Sequence, residues 1–256
     1  MSTGMDKVAA NTPENPAPAN SYSPGESENG MTLFEHLGEL RKRLLIILAG
    51  LAVGVIVSFA FADRLIQFMA QPIGGLANLQ SIEITENVGV FMRVSLLGGF
   101  ILAFPLILYE IIAFVVPGLK SSERKWVFLS IPLLFLMFVG GVAFTYLVML
   151  PAAVPFLVSF LGVTTVPRLS NYFNFVTNLM FWVGIIFETP LVFFILAKLH
   201  IVTAGMLLKG WRFAVIISAG VAALITPTVD PVNMALFMTP MLGLYLLSVL
   251  MAVFAR

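Results

Sequence analysis

Two carboxyl side chains lie inside apolar stretches of the sequence. Glu110 precedes the helix-breaking pair Pro117-Gly118 by seven residues, and Glu188 lies within the run Gly184-Ile-Ile-Phe-Glu-Thr-Pro190. An ionised carboxyl inside a bilayer costs several kcal/mol, so such a residue faces protein or water and indicates a functional role by default. A buried structural hydrogen bond is the alternative interpretation of both residues.

Two further carboxylates lie beside basic residues at the ends of apolar stretches. Glu39 precedes Arg43 by four residues, a spacing that gives a solvated helix pair worth a few tenths of a kcal/mol. Glu123 follows a pair of serines that can cap a helix, and in the first helical turn its charge complements the helix dipole. Each carboxylate therefore has a sufficient structural explanation beside any role in binding.

The composition is that of a membrane protein. Of 256 residues, 59% are hydrophobic and 11% are charged, whereas charged residues make up about a quarter of soluble domains. The absence of cysteine, together with only two histidines (His36 and His200), excludes disulfides, thiol nucleophiles and the usual zinc sites. The net charge of +1 gives no indication of a nucleic-acid partner, and hydrolase and Walker motifs are missing. We predict no enzymatic activity, cofactor or metal.

The chain divides into a polar tail and a membrane domain. Residues 1–30 hold four Pro, four Asn, four Ser and three Gly, a composition that predicts a disordered tail. Residues 31–256 form the predicted membrane domain, with apolar stretches at 44–62, 94–116, 126–150, 172–197, 213–226 and 232–255. A crossing needs about 20 residues, so we predict an all-α bundle of six transmembrane helices. The fifth stretch has few residues and the sixth contains Pro240, so both helices are predicted to be short; 151–167, rich in proline, is predicted as a partly buried loop.

Basic residues predict the orientation of these helices. With six crossings and a cytoplasmic N-terminus, ten Lys and Arg residues of the membrane domain (31–256) fall on the cytoplasmic side and three (Arg64, Arg93 and Arg168) outside. A seventh crossing would reduce this to seven against six, which fits the positive-inside rule poorly. We therefore predict a multi-pass protein with both termini in the cytoplasm.

Several short motifs together resemble the TatC family, the multispanning receptor subunits of the twin-arginine protein translocase. They are His36-Leu-Gly-Glu39-Leu-Arg41-Lys-Arg43, Pro105-Leu-Ile-Leu-Tyr109, Phe114-Val-Val-Pro117-Gly-Leu119 with Glu123-Arg124, Phe144-Thr-Tyr146 with Pro151, Phe187-Glu188-Thr-Pro190, and Thr226-Pro227 with Asp230. Each motif is weak alone, but their order is that of the family from Met31 to about Ala255.

The resemblance implies six helices in a concave, cup-like bundle in the cytoplasmic (inner) membrane. It also implies transport of folded proteins powered by the proton-motive force. The implied partners are single-span TatA and TatB type proteins, the twin-arginine signal peptides of folded cargo, the lipid bilayer and further copies of the chain in a receptor complex.

The family's functional positions carry over residue by residue. The resemblance assigns Glu39 and Glu123 to the site that receives the arginine pair of a signal peptide, with Arg41, Phe114 and Arg124 at neighbouring positions. It matches Glu188 to the family's membrane-embedded carboxylate. We predict that Glu188 docks a TatA or TatB type helix, because a polar group on that helix would satisfy the carboxyl in lipid. Glu110, where the family commonly has Gln, is grouped with Glu188 as an intramembrane polar residue. Tyr146 and Asp230 also match family positions, and Pro72 lies in the loop between the first two predicted helices. The roles of these three residues are structural or undetermined.

Two other functions remain open at this stage. A small ion-coupled secondary transporter could use Glu110 and Glu188 as proton or cation sites, and it would take up solute without partner proteins. A scaffold without a binding site of its own would not crosslink to a signal peptide.

Overall fold

The computed structural model describes residues 33–159, 165–225 and 231–255, and these are mostly helical. The helices are α1 (Leu33–Phe59), α2 (Ala62–Met69), α3 (Glu86–Val115), α4 (Ser121–Leu129), α5 (Ile131–Phe144), α6 (Leu150–Val158), α7 (Leu169–Phe187), α8 (Thr189–Lys198), α9 (Ala204–Lys209), α10 (Trp211–Ile225) and α11 (Pro231–Phe254). Within the described ranges, the extended backbone forms one isolated bridge, between Gln80 and Arg168. The predicted all-α class is confirmed, while the predicted tail, residues 1–30, lies outside the described residues.

Five helical stretches are long and apolar enough to cross a membrane. They are Glu35–Phe59, Glu86–Gly118, Arg124–Val158, Leu169–Lys198 and Met234–Phe254. The apolar helix α10 has 15 residues, about 22 Å of helix, which is shorter than the hydrocarbon core. The predicted short fifth helix is therefore confirmed.

The prediction of a short sixth helix is wrong. The helix α11 has 24 residues and continues through Pro240, giving about 36 Å of helix. A proline removes one backbone donor, and in an apolar helix packed against neighbours that single loss does not end the helix.

The stretch after residue 150 is helical and not the predicted loop. A wider π-helical turn, Thr145–Met149, joins α5 to α6, and the helix then continues to Val158. Pro151 lies in the first turn of α6, directly after the π turn, where its missing backbone donor interrupts no regular α-helical ladder. The helix ends before residues 160–164, which lie outside the described ranges.

Glycines allow two pairs of long helices to approach closely. Between α1 and α3, a Cβ added at Gly99 would come within 2.6 Å of the backbone nitrogen of Val55. Between α5 and α7, a Cβ added at Gly141 would come within 2.9 Å of the Cα atom of Gly184. At Gly184 the neighbouring helix is therefore the chain's own α5.

Two tyrosine hydroxyls bind the free carbonyl groups at the end of α2. Tyr172 donates to the carbonyl of Met69 at 2.7 Å, and Tyr146 donates to that of Phe68 at 3.0 Å. The ring of Tyr146 also stacks on Phe68 with centroids 4.1 Å apart. Pro72 follows in the 3-10 turn Gln71–Ile73. These contacts give Tyr146 a structural role at this end of the bundle.

We expect Tyr172→Phe to lower the free energy of unfolding by about 1–2 kcal/mol, because a buried carbonyl loses its donor. Thermal unfolding of the detergent-solubilised protein measures the change. Tyr109→Phe is the matched control, since the side chain of Tyr109 is 48% exposed. Equal melting temperatures for the Tyr172 variant and the unmodified protein would show that the hydroxyl adds no net stability.

Candidate functional site

Three charged residues meet between the first part of α1 and the last part of α3. The Nη2 atom of Arg43 binds Glu39, one turn earlier in α1, and its Nη1 atom binds Oε2 of Glu110 in α3 at 2.9 Å. We name Glu39, Arg43 and Glu110 the carboxylate–arginine cluster. The pair of Glu39 with Arg43 that the spacing predicts is confirmed.

Glu110 takes a different place from the one that the sequence favours. It is buried, as an intramembrane carboxyl should be, but its partner is Arg43. The sequence groups Glu110 with Glu188, because both lie inside apolar runs. The structure instead joins Glu110 to the residues of the predicted signal-peptide site.

An aromatic pair lies one helical turn from this cluster. The rings of His36 and Phe114 stack with centroids 4.3 Å apart and planes inclined by 23°. His36 precedes Glu39 by three residues and Phe114 follows Glu110 by four, so both rings lie beside the cluster. Phe114 was predicted as a site residue, whereas His36 was not. Its three-residue spacing from Glu39 was the available signal.

The remaining predicted residues of this site are described to different extents. The backbone of Glu123 lies in the first turn of α4, as predicted, but its side chain is outside the described residues. Arg41 and Arg124 are exposed. Val127 of α4 packs in one cluster with Ile112 and Val116 from the end of α3 and the turn after it. That packing holds the start of α4 at the same end of α3 as Glu110.

Glu188 lies at the junction of α7 and α8, where the helix is interrupted. Its backbone nitrogen donates to the carbonyl of Ile185 at 3.1 Å, and its carbonyl accepts from Val192 at 2.9 Å. Pro190, which follows in the first turn of α8, is fully buried. The carboxyl group is buried near the backbone of Phe138, and within the described ranges neither oxygen has a hydrogen-bond partner of ordinary geometry.

A second ion cluster joins the loop before α3 to the loop before α7. It lies at the opposite end of α3 from Glu110. Arg168 binds Glu83 at 2.6 Å through Nη2 and Glu86 through Nε, and these two carboxylates raise the pKa of its guanidinium. The backbone nitrogen of Gln80 donates to Pro167 at 3.0 Å, and Leu169 donates back to Gln80 at 2.8 Å. This cluster connects the start of α3 to the start of α7. Asp230, the remaining predicted residue, lies outside the described ranges.

The carboxylate–arginine cluster has the chemistry of a guanidinium site. Carboxylates bind guanidinium groups through charge-assisted hydrogen bonds that an ammonium group cannot reproduce with the same geometry. Across the residues that the structure describes, no group of three or more His, Cys, Asp or Glu is arranged to hold a metal ion.

Comparisons with known proteins identify the family of the chain. A family model described as "Sec-independent protein translocase protein (TatC)" matches residues 35–240. The chain is 35% identical over 229 residues to the Sec-independent protein translocase protein TatC of Carboxydothermus hydrogenoformans. The alignment covers 88% of this chain and 94% of that protein. It is 38% identical over 232 residues to the protein of the same name from Deinococcus radiodurans, covering 86% of this chain and 85% of the other.

A solved structure has the same fold. The crystal structure of the twin arginine translocase receptor TatC superimposes with a TM-score of 0.77 at 31% sequence identity, covering 86% of this chain and 99% of the other. The match of most of the chain to the family model, to full-length relatives and to this fold confirms the resemblance seen in the motifs. The chain belongs to the TatC family of Sec-independent protein translocase proteins.

Proposed function

We propose that this chain is the signal-peptide receptor of a twin-arginine protein translocase. It lies in the cytoplasmic membrane as six crossing helices, with both termini in the cytoplasm. Together with TatA and TatB type partners it exports folded proteins, using the proton-motive force. Family membership supports the overall activity, and the carboxylate–arginine cluster supports the assignment of the binding site.

One observation carries the receptor assignment: Glu39 already binds a guanidinium group, that of Arg43. The Glu39 side chain is 27% exposed, so a guanidinium arriving from solvent can reach the same carboxylate. Glu123, in the first turn of α4, supplies a second carboxylate at the same end of α3 as Glu110. Two carboxylates match the two consecutive arginines of the signal peptide.

The same site accounts for a requirement for arginine over lysine. A guanidinium presents a planar fork of donors, whereas an ammonium is a compact point charge. The stacked rings of His36 and Phe114, one turn away, offer a flat surface on which a planar guanidinium or an apolar side chain of the peptide can rest. We therefore assign the second arginine, or the residue after the pair, to this aromatic surface.

Glu188 is assigned to the docking of a partner helix. Among the described residues its two carboxyl oxygens have no hydrogen-bond partner, which is costly in a buried site, and a polar group on a partner helix would remove that cost. The flanking residues Ile186 and Thr189 line an apolar groove of about 420 Å³, together with residues of α9, α10 and α11. A single-span helix that carries one polar side chain fits both the groove and the carboxyl.

Single introduced cysteines test the orientation of the helices. The native chain has no cysteine, so Gly205→Cys and Asn78→Cys each give one reactive thiol at an exposed position. We expect a membrane-impermeant maleimide to label Gly205→Cys only from the cytoplasmic side and Asn78→Cys only from outside. Labelling of Gly205→Cys from outside would contradict the six-helix orientation.

The transporter alternative loses support from the cluster geometry. Glu110 is paired with Arg43, so it is not a free intramembrane carboxyl that could exchange ions. Uptake of solute by the purified chain alone in liposomes would favour this alternative.

Export in cells tests the receptor function directly. The chain, expressed with TatA and TatB type partners in cells that lack their own receptor, should restore export of a folded fluorescent reporter carrying a twin-arginine signal. Export of the same reporter with Lys-Lys in place of Arg-Arg should stay at background. Equal export of both reporters would contradict the proposal.

A further inference from the structure

We propose that, in the receptor without a peptide, Arg43 binds the Glu39 carboxylate in the place of the signal-peptide arginine. When the peptide arginine binds Glu39, Arg43 stays bound to Glu110. This inference rests on the proposed receptor function. It makes Glu110 a positioning residue of the site, because it acts on the peptide through Arg43.

The hydrogen bonds of Arg43 suit such an exchange. Arg43 uses one terminal nitrogen for each carboxylate, and its Nε atom is buried without a partner in the described part of the chain. Neither carboxylate therefore receives the two parallel hydrogen bonds that make arginine–carboxylate pairs strong. An Arg43 released from Glu39 has both a free terminal nitrogen and a free Nε with which to bind Glu110.

The exposure of the three side chains gives the exchange a direction. Glu39 is 27% exposed, Arg43 20% and Glu110 8%. The carboxylate nearest to solvent is thus available to a peptide, while the buried carboxylate has Arg43 as its partner. Removing one member of a buried ion pair is costly, so Arg43 remains with Glu110 after the exchange.

Charge balance predicts what Glu110 contributes to binding. The cluster holds two carboxylates and one guanidinium, for a net charge of −1, and an incoming arginine brings it to zero. Without the Glu110 charge, the empty cluster is neutral, and binding places two guanidinium groups on one carboxylate. Repulsion between guanidinium groups a few ångströms apart then opposes binding.

Glu110→Gln should weaken binding of a twin-arginine precursor by roughly tenfold. The double variant Arg43→Gln/Glu110→Gln leaves Glu39 free and restores the net charge of −1, so its affinity should return to within about threefold of the unmodified receptor. Binding is measured with a fluorescent twin-arginine precursor on the full chain in nanodiscs. Asp63→Asn, which removes one charge from an exposed position in α2, is the matched control and should change affinity less than about twofold.

The rescue separates this inference from a purely structural role. If Glu110 only stabilises the fold, the double variant will bind as weakly as Glu110→Gln or more weakly, and the inference is overturned. An unchanged affinity for Glu110→Gln would also overturn it. Failure of the unmodified receptor to distinguish Arg-Arg from Lys-Lys precursors would instead contradict the proposed function.

Discussion

Glu39→Ala and Glu123→Ala are each expected to reduce binding of a twin-arginine precursor at least about tenfold, and the double variant is expected to abolish it. A charged peptide group that loses its carboxylate partner at a partly desolvated site forfeits a few kcal/mol of binding free energy. Glu39 is the more exposed carboxylate of the carboxylate–arginine cluster, and Glu123 lies in the first turn of α4. Site-specific photo-crosslinking to the precursor, in inverted membrane vesicles, measures both effects.

Two controls keep this result interpretable. Membrane insertion, measured by protease protection, should be normal, because neither residue lies in an apolar run. Asp63 is an exposed carboxylate in α2, just after the end of α1. Asp63→Ala should leave crosslinking unchanged. Normal discrimination between Arg-Arg and Lys-Lys precursors in the double variant would contradict this prediction. Glu39 would then act only in its ion pair with Arg43, and Glu123 only in capping α4.

Glu188→Leu is expected to reduce crosslinking to the TatA and TatB type partners by about tenfold and to slow export to a similar extent. The change removes the buried, unpaired carboxyl and leaves nothing to satisfy a polar group on the partner helix. Precursor binding should stay largely intact, because Glu188 belongs to the junction of α7 and α8 and not to the carboxylate–arginine cluster. Crosslinkers placed on the partner helix and on the signal peptide measure the two steps separately.

A conservative variant and a control at an exposed position sharpen this second test. Glu188→Gln keeps a hydrogen-bonding group of the same size, so most of the partner crosslinking should remain. Thr239→Leu adds the same apolar side chain at an exposed position of α11 and should change neither step. Loss of precursor binding with normal partner crosslinking in Glu188→Leu would show that Glu188 acts in precursor binding and not in partner docking.

The five helical stretches long enough to cross a membrane, and the shorter apolar helix α10, could be predicted from the sequence, because hydropathy marks each of them independently. The errors concern proline. Pro151 and Pro240 suggested breaks, yet the π turn before α6 and the packed surroundings of α11 accommodate the missing donors. A wider turn of this kind depends on how neighbouring helices pack against it, and local sequence does not specify that packing.

The candidate site was predictable in part for a similar reason. The pair of Glu39 with Arg43 follows from spacing within one helix, which sequence gives directly. The third member, Glu110, lies 67 residues from Arg43 and joins it only because α1 and α3 pack closely around glycines such as Gly99. The stack of His36 on Phe114 depends on the same packing of α1 against α3, so it could not be predicted from the sequence either.

The most direct test of the receptor assignment compares two precursors on one receptor. The unmodified chain in nanodiscs is titrated with a folded precursor carrying Arg-Arg and with the same precursor carrying Lys-Lys. The account predicts that the Arg-Arg precursor binds at least about tenfold more tightly and that Glu39→Gln removes most of this difference. Equal affinities for the two precursors on the unmodified receptor would contradict the central claim.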